Sequence, residues 1–82
     1  MQYCIRTPDQ LGLALRVRRK GLQLTQAEAA ESIGMLQKTV SRLELDPKTA
    51  MVDSLFDLLS ALDLEIVLQE KQRTVSNEQL PW

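Results

Sequence analysis

The chain contains no histidine, one cysteine and only three glycines among its 82 residues. It therefore lacks the side chain that most often performs acid–base catalysis, its one thiol lies near the N-terminus, and it has no glycine loop that could hold a phosphate group. We expect no enzymatic activity, no cofactor and no metal site. Because Cys4 is alone, no internal disulfide can form, which favours a reducing cytoplasm.

Long hydrophobic runs are also missing. No apolar stretch approaches the roughly 18 residues that a membrane span requires, and the first residues have no secretory character. We therefore expect a soluble, cytoplasmic protein with no membrane partner. A chain of 82 residues forms one small domain that buries little apolar surface, so association with a second copy would stabilise it.

The formal net charge is only −1, but the charges are unevenly distributed along the chain. Residues 1–49 carry eight basic and five acidic side chains, a net charge of +3. Residues 50–82 carry two basic and six acidic side chains, a net charge of −4. The basic half could face phosphate groups, and the acidic half could face a different partner.

The stretch from Thr25 to Leu45 has the pattern of two short helices joined by a turn. Thr25 and Glu28 form a T-x-x-E capping box, which predicts that the first of these helices starts there. Gly34 follows an apolar repeat at the place where a helix end favours a residue that tolerates the left-handed conformation.

The second helix of this pair is predicted from about Gln37 to Leu45. It would bury Val40 and Leu43, and its other side would be polar. The residues predicted on that polar side are Gln37, Lys38, Ser41 and Arg42. Two short helices in this arrangement place the second one in the major groove of DNA.

Further helices are predicted on both sides of this pair. Thr7 and the proline after it start a first helix that ends near Gly21. After a turn at residues 46–48, Thr49 is expected to cap a fourth helix. Its predicted apolar face consists of Leu55, Leu58, Leu59 and Leu62, extended by Phe56.

The period of the sequence changes from helical to alternating at about residues 63–69. Leu64, Ile66 and Leu68 alternate with other residues, as in a half-buried strand. Because no second strand of comparable pattern exists, the strand is predicted to pair with its copy in a second protomer, giving a two-fold dimer. The alternative is an extra helical turn packed on the other helices.

The last residues, 71–82, are polar and have no period, so we expect a flexible tail. The tail contains the only tryptophan, Trp82. This residue is either part of a frayed end or an anchor that fits into a pocket of a partner protein.

At these positions the chain resembles the lambdoid-repressor-like, or XRE-type, helix-turn-helix family over roughly residues 8–62. The match rests on Arg19, the T-Q-x-E that starts the first motif helix, Ala30, Gly34 and the T-V-S-R-L-E run at 39–44. The resemblance implies a mainly α, four-to-five-helix lambda-repressor-like domain at residues 1–70. A C-terminal strand would pair across the dimer, and residues 71–82 would form the tail.

The family resemblance also implies a role for individual residues. Gln37, Lys38, Ser41 and Arg42 would contact base edges of a palindromic double-stranded operator. Thr25, Gln26 and Arg16 would contact the DNA backbone. Arg19 and Glu44 would form a buried ion pair with an architectural role. When bound to DNA, the protein would be associated with the nucleoid.

The chemistry of the side chains supports the base-reading assignments, although each also has a structural alternative. Glutamine can pair with adenine and lysine with guanine, whereas Arg42 could reach a phosphate instead. Gln37, Lys38 and Ser41 could also be ordinary exposed residues of a helix surface, and Lys20 and Arg18 are expected to be merely solvated.

Two positions depart from the family pattern. Leu36 replaces the usual Ser or Thr at the N-cap of the second motif helix, and losing such a cap typically costs about 1 kcal/mol. Leu36 could instead contact a thymine methyl group. Ala29 replaces a larger apolar residue, so the core beside it is expected to be thin.

Within the family, the short strand and the polar tail ending in Trp82 are similar to the antitoxins that partner HipA-like serine/threonine kinase toxins. The resemblance implies a homodimer that binds such a toxin and represses its own operon. The alternatives are a stand-alone XRE-type repressor without a toxin partner, and a protein-binding helical module that does not bind DNA.

Overall fold

The computed structural model describes residues 2–71, and within them lie four α-helices and one 3-10 helix. The α-helices are α1 (Pro8–Gly21), α2 (Gln26–Ser32), α3 (Gln37–Leu45) and α4 (Val52–Ala61), and the 3-10 helix is Pro47–Thr49. Helix α3 packs against both α1 and α2. The predicted mainly helical fold, with a helix-turn-helix at α2 and α3, is confirmed. None of these helices is long and apolar enough to cross a membrane.

The starts of α1 and α2 are held by the side chains that the sequence predicts. The Thr25 hydroxyl oxygen accepts from the Glu28 N–H at 3.0 Å, and the Glu28 carboxylate accepts from the Thr25 N–H at 2.8 Å. Thr7 accepts in the same way from the Gln10 N–H at 3.1 Å. These bonds satisfy N–H groups that have no partner inside the helix.

The predicted cap of the fourth helix is wrong. Thr49 belongs to the 3-10 helix, and its hydroxyl donates to the Asp46 carbonyl oxygen at 3.0 Å. Helix α4 begins after Met51, which makes no side-chain capping bond. The reason is that Pro47 starts a 3-10 helix, and Thr49 is its last residue. Thr49 therefore lies too early in the chain to cap α4.

Helices α1, α2 and α4 end in the same way, with one residue in the left-handed conformation. These residues are Gln23, Gly34 and Asp63, with φ of 61°, 67° and 57°. In each case the N–H of the next residue donates to the carbonyl five positions earlier, at 2.9–3.1 Å. The next residues are Leu24, Met35 and Leu64, and each packs against the core. This arrangement is the Schellman motif, which satisfies the last carbonyls and returns an apolar side chain to the interior.

The Schellman motif at the end of α4 corrects the predicted strand at residues 63–69. Asp63 is left-handed and therefore cannot continue a strand, and Leu64 packs on its own protomer's core. Ile66 and Leu68 are exposed, and residues 65–71 form neither a helix nor a paired strand within the single chain. The alternative prediction, an extra helical turn, is therefore wrong for residues 65–71. The predicted strand therefore shortens to the residues after Leu64, and its pairing with a second protomer stays a prediction.

The core consists of leucines packed on small residues. Its largest fully buried side chains are Leu15, Leu43, Leu58, Leu62 and Val40. Ala29 and Ala30 are buried between them at 0% and 2% exposure, so α2 approaches its neighbours closely. The predicted extension of the core by Phe56 is wrong, because this side chain is 53% exposed.

Gly12 lets α1 approach the backbone of α3, a role that the sequence did not indicate. A Cβ atom at this position would lie 2.3 Å from the Glu44 carbonyl oxygen, far inside van der Waals contact. Because the obstacle is backbone rather than a flexible side chain, relief requires the two helices to separate.

We expect Gly12→Ala to destabilise the domain by about 2 kcal/mol, since the clash outweighs the better helix propensity of alanine. Urea unfolding at one protein concentration measures the loss. Gly21→Ala is the matched control: it also lies in α1, has no atom within 4 Å of the added Cβ and should not destabilise. Equal stability of the two variants would contradict the proposed close contact.

Candidate nucleic-acid interface

The outer side of α3 carries the four residues predicted to contact base edges. Gln37 and Ser41 are four residues apart, as are Lys38 and Arg42, so the two pairs lie side by side on one helix surface. Gln37, Lys38 and Arg42 are exposed, and Ser41 is partly buried. Val40 and Leu43 hold the opposite side of α3 in the core. The helix therefore presents hydrogen-bond donors and acceptors to solvent along one side.

The start of α3 lacks a side-chain cap, as the sequence predicts. Leu36 occupies the N-cap position and forms no capping bond through its side chain. Its backbone carbonyl still accepts from the Thr39 N–H at 3.0 Å. The side chain itself is 63% exposed, next to the polar side of the helix. It is therefore accessible to an apolar group such as the predicted thymine methyl.

Arg19 of α1 and Glu44 of α3 form the ion pair that the resemblance implies. The guanidinium donates twice to the carboxylate, at 2.6 and 3.1 Å, and a third donor reaches the Leu24 carbonyl at 2.8 Å. The two side chains are 8% and 1% exposed. A bidentate arginine–carboxylate pair fixes the relative orientation of the two groups, so it sets the angle between α1 and α3.

Gln26 connects this ion pair to the outer face of α3. Its amide nitrogen donates to Glu44 at 3.0 Å, and its amide oxygen accepts from Gln37 at 3.5 Å. Sequence reasoning assigned Gln26 only to the DNA backbone and missed this link. Nothing in the pattern of one chain could have revealed it, because the three residues meet only after the helices pack.

The residues predicted to contact the DNA backbone lie on two different helices. Thr25 is exposed at the start of α2, where its hydroxyl oxygen accepts in the capping box and its proton stays available to a further acceptor. Arg16 is exposed on α1. Arg18, expected to be merely solvated, instead donates to the Leu62 carbonyl at 2.9 Å and so ties α1 to the end of α4.

This arrangement defines a class of protein. The chain matches the model of the helix-turn-helix family over residues 15–69, which is most of its length. The chain belongs to this family, in its XRE type, and is a DNA-binding protein.

Within the family, the chain is similar to the antitoxin HipB. It is 29% identical to HipB of Escherichia coli K12 over an alignment of 82 positions, which covers 95% of this chain and 93% of the relative. It is 34% identical to HipB of Escherichia coli O6:H1 over 64 residues, 78% of this chain and 68% of the relative.

Solved structures give the same result. The HipA–HipB–O2–O3 complex and the HipB–O4 20mer complex each contain a chain that is 32% identical, with a TM-score of 0.82. In both, the match covers 88% of this chain and 100% of the solved chain. The resemblance to antitoxins of this subfamily, inferred from the sequence, is confirmed.

We expect Arg19→Met to cost about 3–5 kcal/mol of stability, because it leaves the buried Glu44 carboxylate without its counter-ion. Replacing both residues, as Arg19→Met with Glu44→Leu, should restore most of that loss, since no buried charge then remains. Chemical unfolding of the two single variants and the double variant measures the coupling. A strictly additive double variant would show that the two side chains do not act as a pair.

Proposed function

We propose that this chain is the antitoxin of a HipA-like serine/threonine kinase toxin, and that it binds a palindromic operator as a homodimer and represses its own operon. The observation that carries the proposal is the polar outer face of α3, on a fold that matches HipB along the whole of its solved chain. Structures of HipB with operator DNA and in a complex with HipA support both kinds of partner.

The amide of Gln37 is suited to read adenine. One of its N–H groups is directed to the Gln26 oxygen, which restricts the rotation of the amide. The second N–H and the amide oxygen remain for adenine N7 and N6, the bidentate pair that glutamine favours. Fixing the amide before DNA arrives lowers the entropy lost on binding.

The remaining residues of this face divide between base reading and positioning. Lys38 is suited to the guanine O6 and N7 acceptors, and Leu36 to a thymine methyl group. Ser41 and Arg42 lie one turn further along and complete the base contacts. Phosphate contacts from Thr25, Gln26 and Arg16 would set the position of the helix without reading sequence.

The homodimer is supported by apolar side chains that the single chain leaves exposed. Those in the C-terminal part of the described chain are Met51, Val52, Phe56, Ile66, Val67 and Leu68. Exposed apolar side chains mark interaction sites where they form a contiguous patch, and a core of a few leucines gains stability from a second copy. A two-fold dimer would bind half-sites about one helical turn of DNA apart, or a multiple of it.

The toxin partner is supported by the charge of the opposite end of the chain. The exposed acidic residues there are Asp53, Asp57, Asp63, Glu65 and Glu70. These carboxylates repel DNA phosphates, so this part of the surface is suited to a protein partner. Trp82, which lies outside the described residues, remains the proposed anchor for that partner.

We expect Gln37→Ala and Lys38→Ala each to weaken operator binding by about 1–3 kcal/mol and to change binding to random DNA much less. Titrations of both DNAs at fixed salt measure the difference. Gln2→Ala removes the same amide from an exposed residue outside the helices and should bind like the wild type. Equal weakening on both DNAs would make these residues backbone contacts. Absence of a steep inverse salt dependence in the wild type would favour the protein-binding module.

We expect the full chain, expressed from its native operon, to co-purify with a kinase-sized product of the adjacent gene. The Trp82→Ala variant should lose this partner if the tail anchors it, while keeping its affinity for the operator. Recovery of the wild-type chain without any partner would contradict the antitoxin role and leave a stand-alone repressor.

A further inference from the structure

A hydrogen bond links α1 to the end of α4, between two residues that are 44 positions apart in the sequence. The Arg18 Nε–H donates to the Leu62 backbone carbonyl oxygen at 2.9 Å, at a partly buried site. Helix α4 packs mainly against α2 and α3, so this bond adds a direct tie between α4 and α1. Because the tie comes from a side chain, it can be removed without changing the backbone of either helix.

The Leu62 carbonyl is a group that the end of α4 does not satisfy by itself. In the Schellman motif, the N–H groups of Asp63 and Leu64 donate to carbonyls of the preceding turn, at 3.2 and 2.9 Å, and neither bond reaches the Leu62 oxygen. The last turn of α4 also contains no basic residue. The Arg18 guanidinium therefore supplies both a hydrogen-bond donor and the positive charge that a helix C-terminus favours.

The end of α4 leads directly to the segment that the proposed homodimer uses. Asp63 is left-handed, and Leu64 packs on the core. The apolar residues after it are exposed: Ile66, Val67 and Leu68. The Leu62 carbonyl belongs to the peptide group between Leu62 and Asp63, so the orientation of this group determines the direction in which the segment leaves its protomer. The Arg18 bond holds that peptide group in place.

The next residue of α1, Arg19, connects the same helix to the proposed DNA-binding surface. It pairs with the buried Glu44 carboxylate of α3. Two consecutive arginines of α1 thus hold α3 on one side and the exit from α4 on the other. The orientation of α3 relative to residues 65–71 is therefore transmitted through one 14-residue helix.

We infer that Arg18 is a positioning residue of the operator-binding dimer. By holding the Leu62 carbonyl, it fixes the direction of the segment that pairs with the second copy, and thereby the distance and rotation between the two α3 helices. The inference rests on the proposed two-fold dimer and adds a residue that determines which half-site spacing the dimer accepts. Binding to a single half-site uses one α3 and does not depend on Arg18.

The test measures spacing selectivity, which is the ratio of the affinity for the operator to the affinity for the same operator with one base pair inserted between its half-sites. The inserted base pair moves the half-sites apart by about 3.4 Å and rotates one relative to the other by about 35°. To bind this DNA, the wild-type dimer has to break the Arg18 bond in one or both protomers.

Arg18→Met and Arg18→Gln form a matched pair of neutral variants. At the position of the arginine Nε, methionine has a methyl group and glutamine has an amide nitrogen that can donate. Spacing selectivity should fall in Arg18→Met by about 3- to 10-fold for each bond that the wild type has to break. It should stay at the wild-type value in Arg18→Gln. Both variants should bind a duplex with one half-site equally, because they carry the same charge.

A third variant keeps the test independent of folding. Arg18→Ala leaves room for water to reach the Leu62 carbonyl, so the oxygen keeps a partner while the tie between the helices is lost. This variant should lose spacing selectivity as Arg18→Met does. Equal binding of all variants to the half-site duplex shows that the α3 face is intact in each of them.

The outcomes separate this inference from the proposed function. Wild-type selectivity in Arg18→Met and Arg18→Ala would overturn the role of Arg18 and leave operator binding by the dimer intact. Loss of selectivity in Arg18→Gln as well would assign the effect to the charge, which also overturns the role of the hydrogen bond. A wild type that binds both spacings equally would contradict the proposed two-fold dimer, and the positioning role would fail with it.

Discussion

The position of the polar outer face of α3 depends on the buried Glu44 carboxylate. It accepts two bonds from Arg19 of α1 and one from Gln26 of α2, while its own backbone belongs to the last turn of α3. Gln26 in turn contacts Gln37 in the first turn of α3. A single charged group thus relates three helices and, through one amide, the proposed base-reading residue. Such a buried pair contributes little net stability but strongly disfavours other helix arrangements, which would leave its charge unpaired.

This contact requires the helices to be close together, and small residues make the approach possible. Gly12 lies against the Glu44 backbone, and Ala29 and Ala30 occupy the interior of α2. The cost is a core in which a few leucines supply most of the buried apolar surface. The close approach that orients α3 therefore leaves less room for apolar side chains in the core. In the proposed homodimer, the exposed apolar residues on and after α4 would supply the additional burial.

Local signals in the sequence predicted those features that depend on neighbouring residues. The capping box at Thr25, the left-handed Gly34 and the polar outer side of α3 follow from spacing alone, and all three are present. The end of α1 near Gly21 is also as predicted, but the segment after α4 was placed incorrectly at its start, because Asp63 adopts a left-handed conformation that is usually signalled by glycine. Leu64 fits the alternating pattern of a half-buried strand. It fits equally well the apolar position that follows a Schellman motif, which also packs on the core. The close contact at Gly12 and the link through Gln26 depend on tertiary packing, which no periodicity encodes.

The small net negative charge is consistent with DNA binding because the field near the surface depends on where the charges lie. Glu44 is buried and its charge is compensated by Arg19, so it contributes little to the potential at the outer face of α3. Lys38 and Arg42 would contact the DNA directly. The charges of the carboxylates on α4 and after it are screened by salt, for which the Debye length is about 8 Å. Those carboxylates still repel phosphate when the wrong side of the protein approaches. If DNA docks on α3 as proposed, the acidic C-terminal half favours the correct orientation during encounter and leaves the contacts of the docked complex intact.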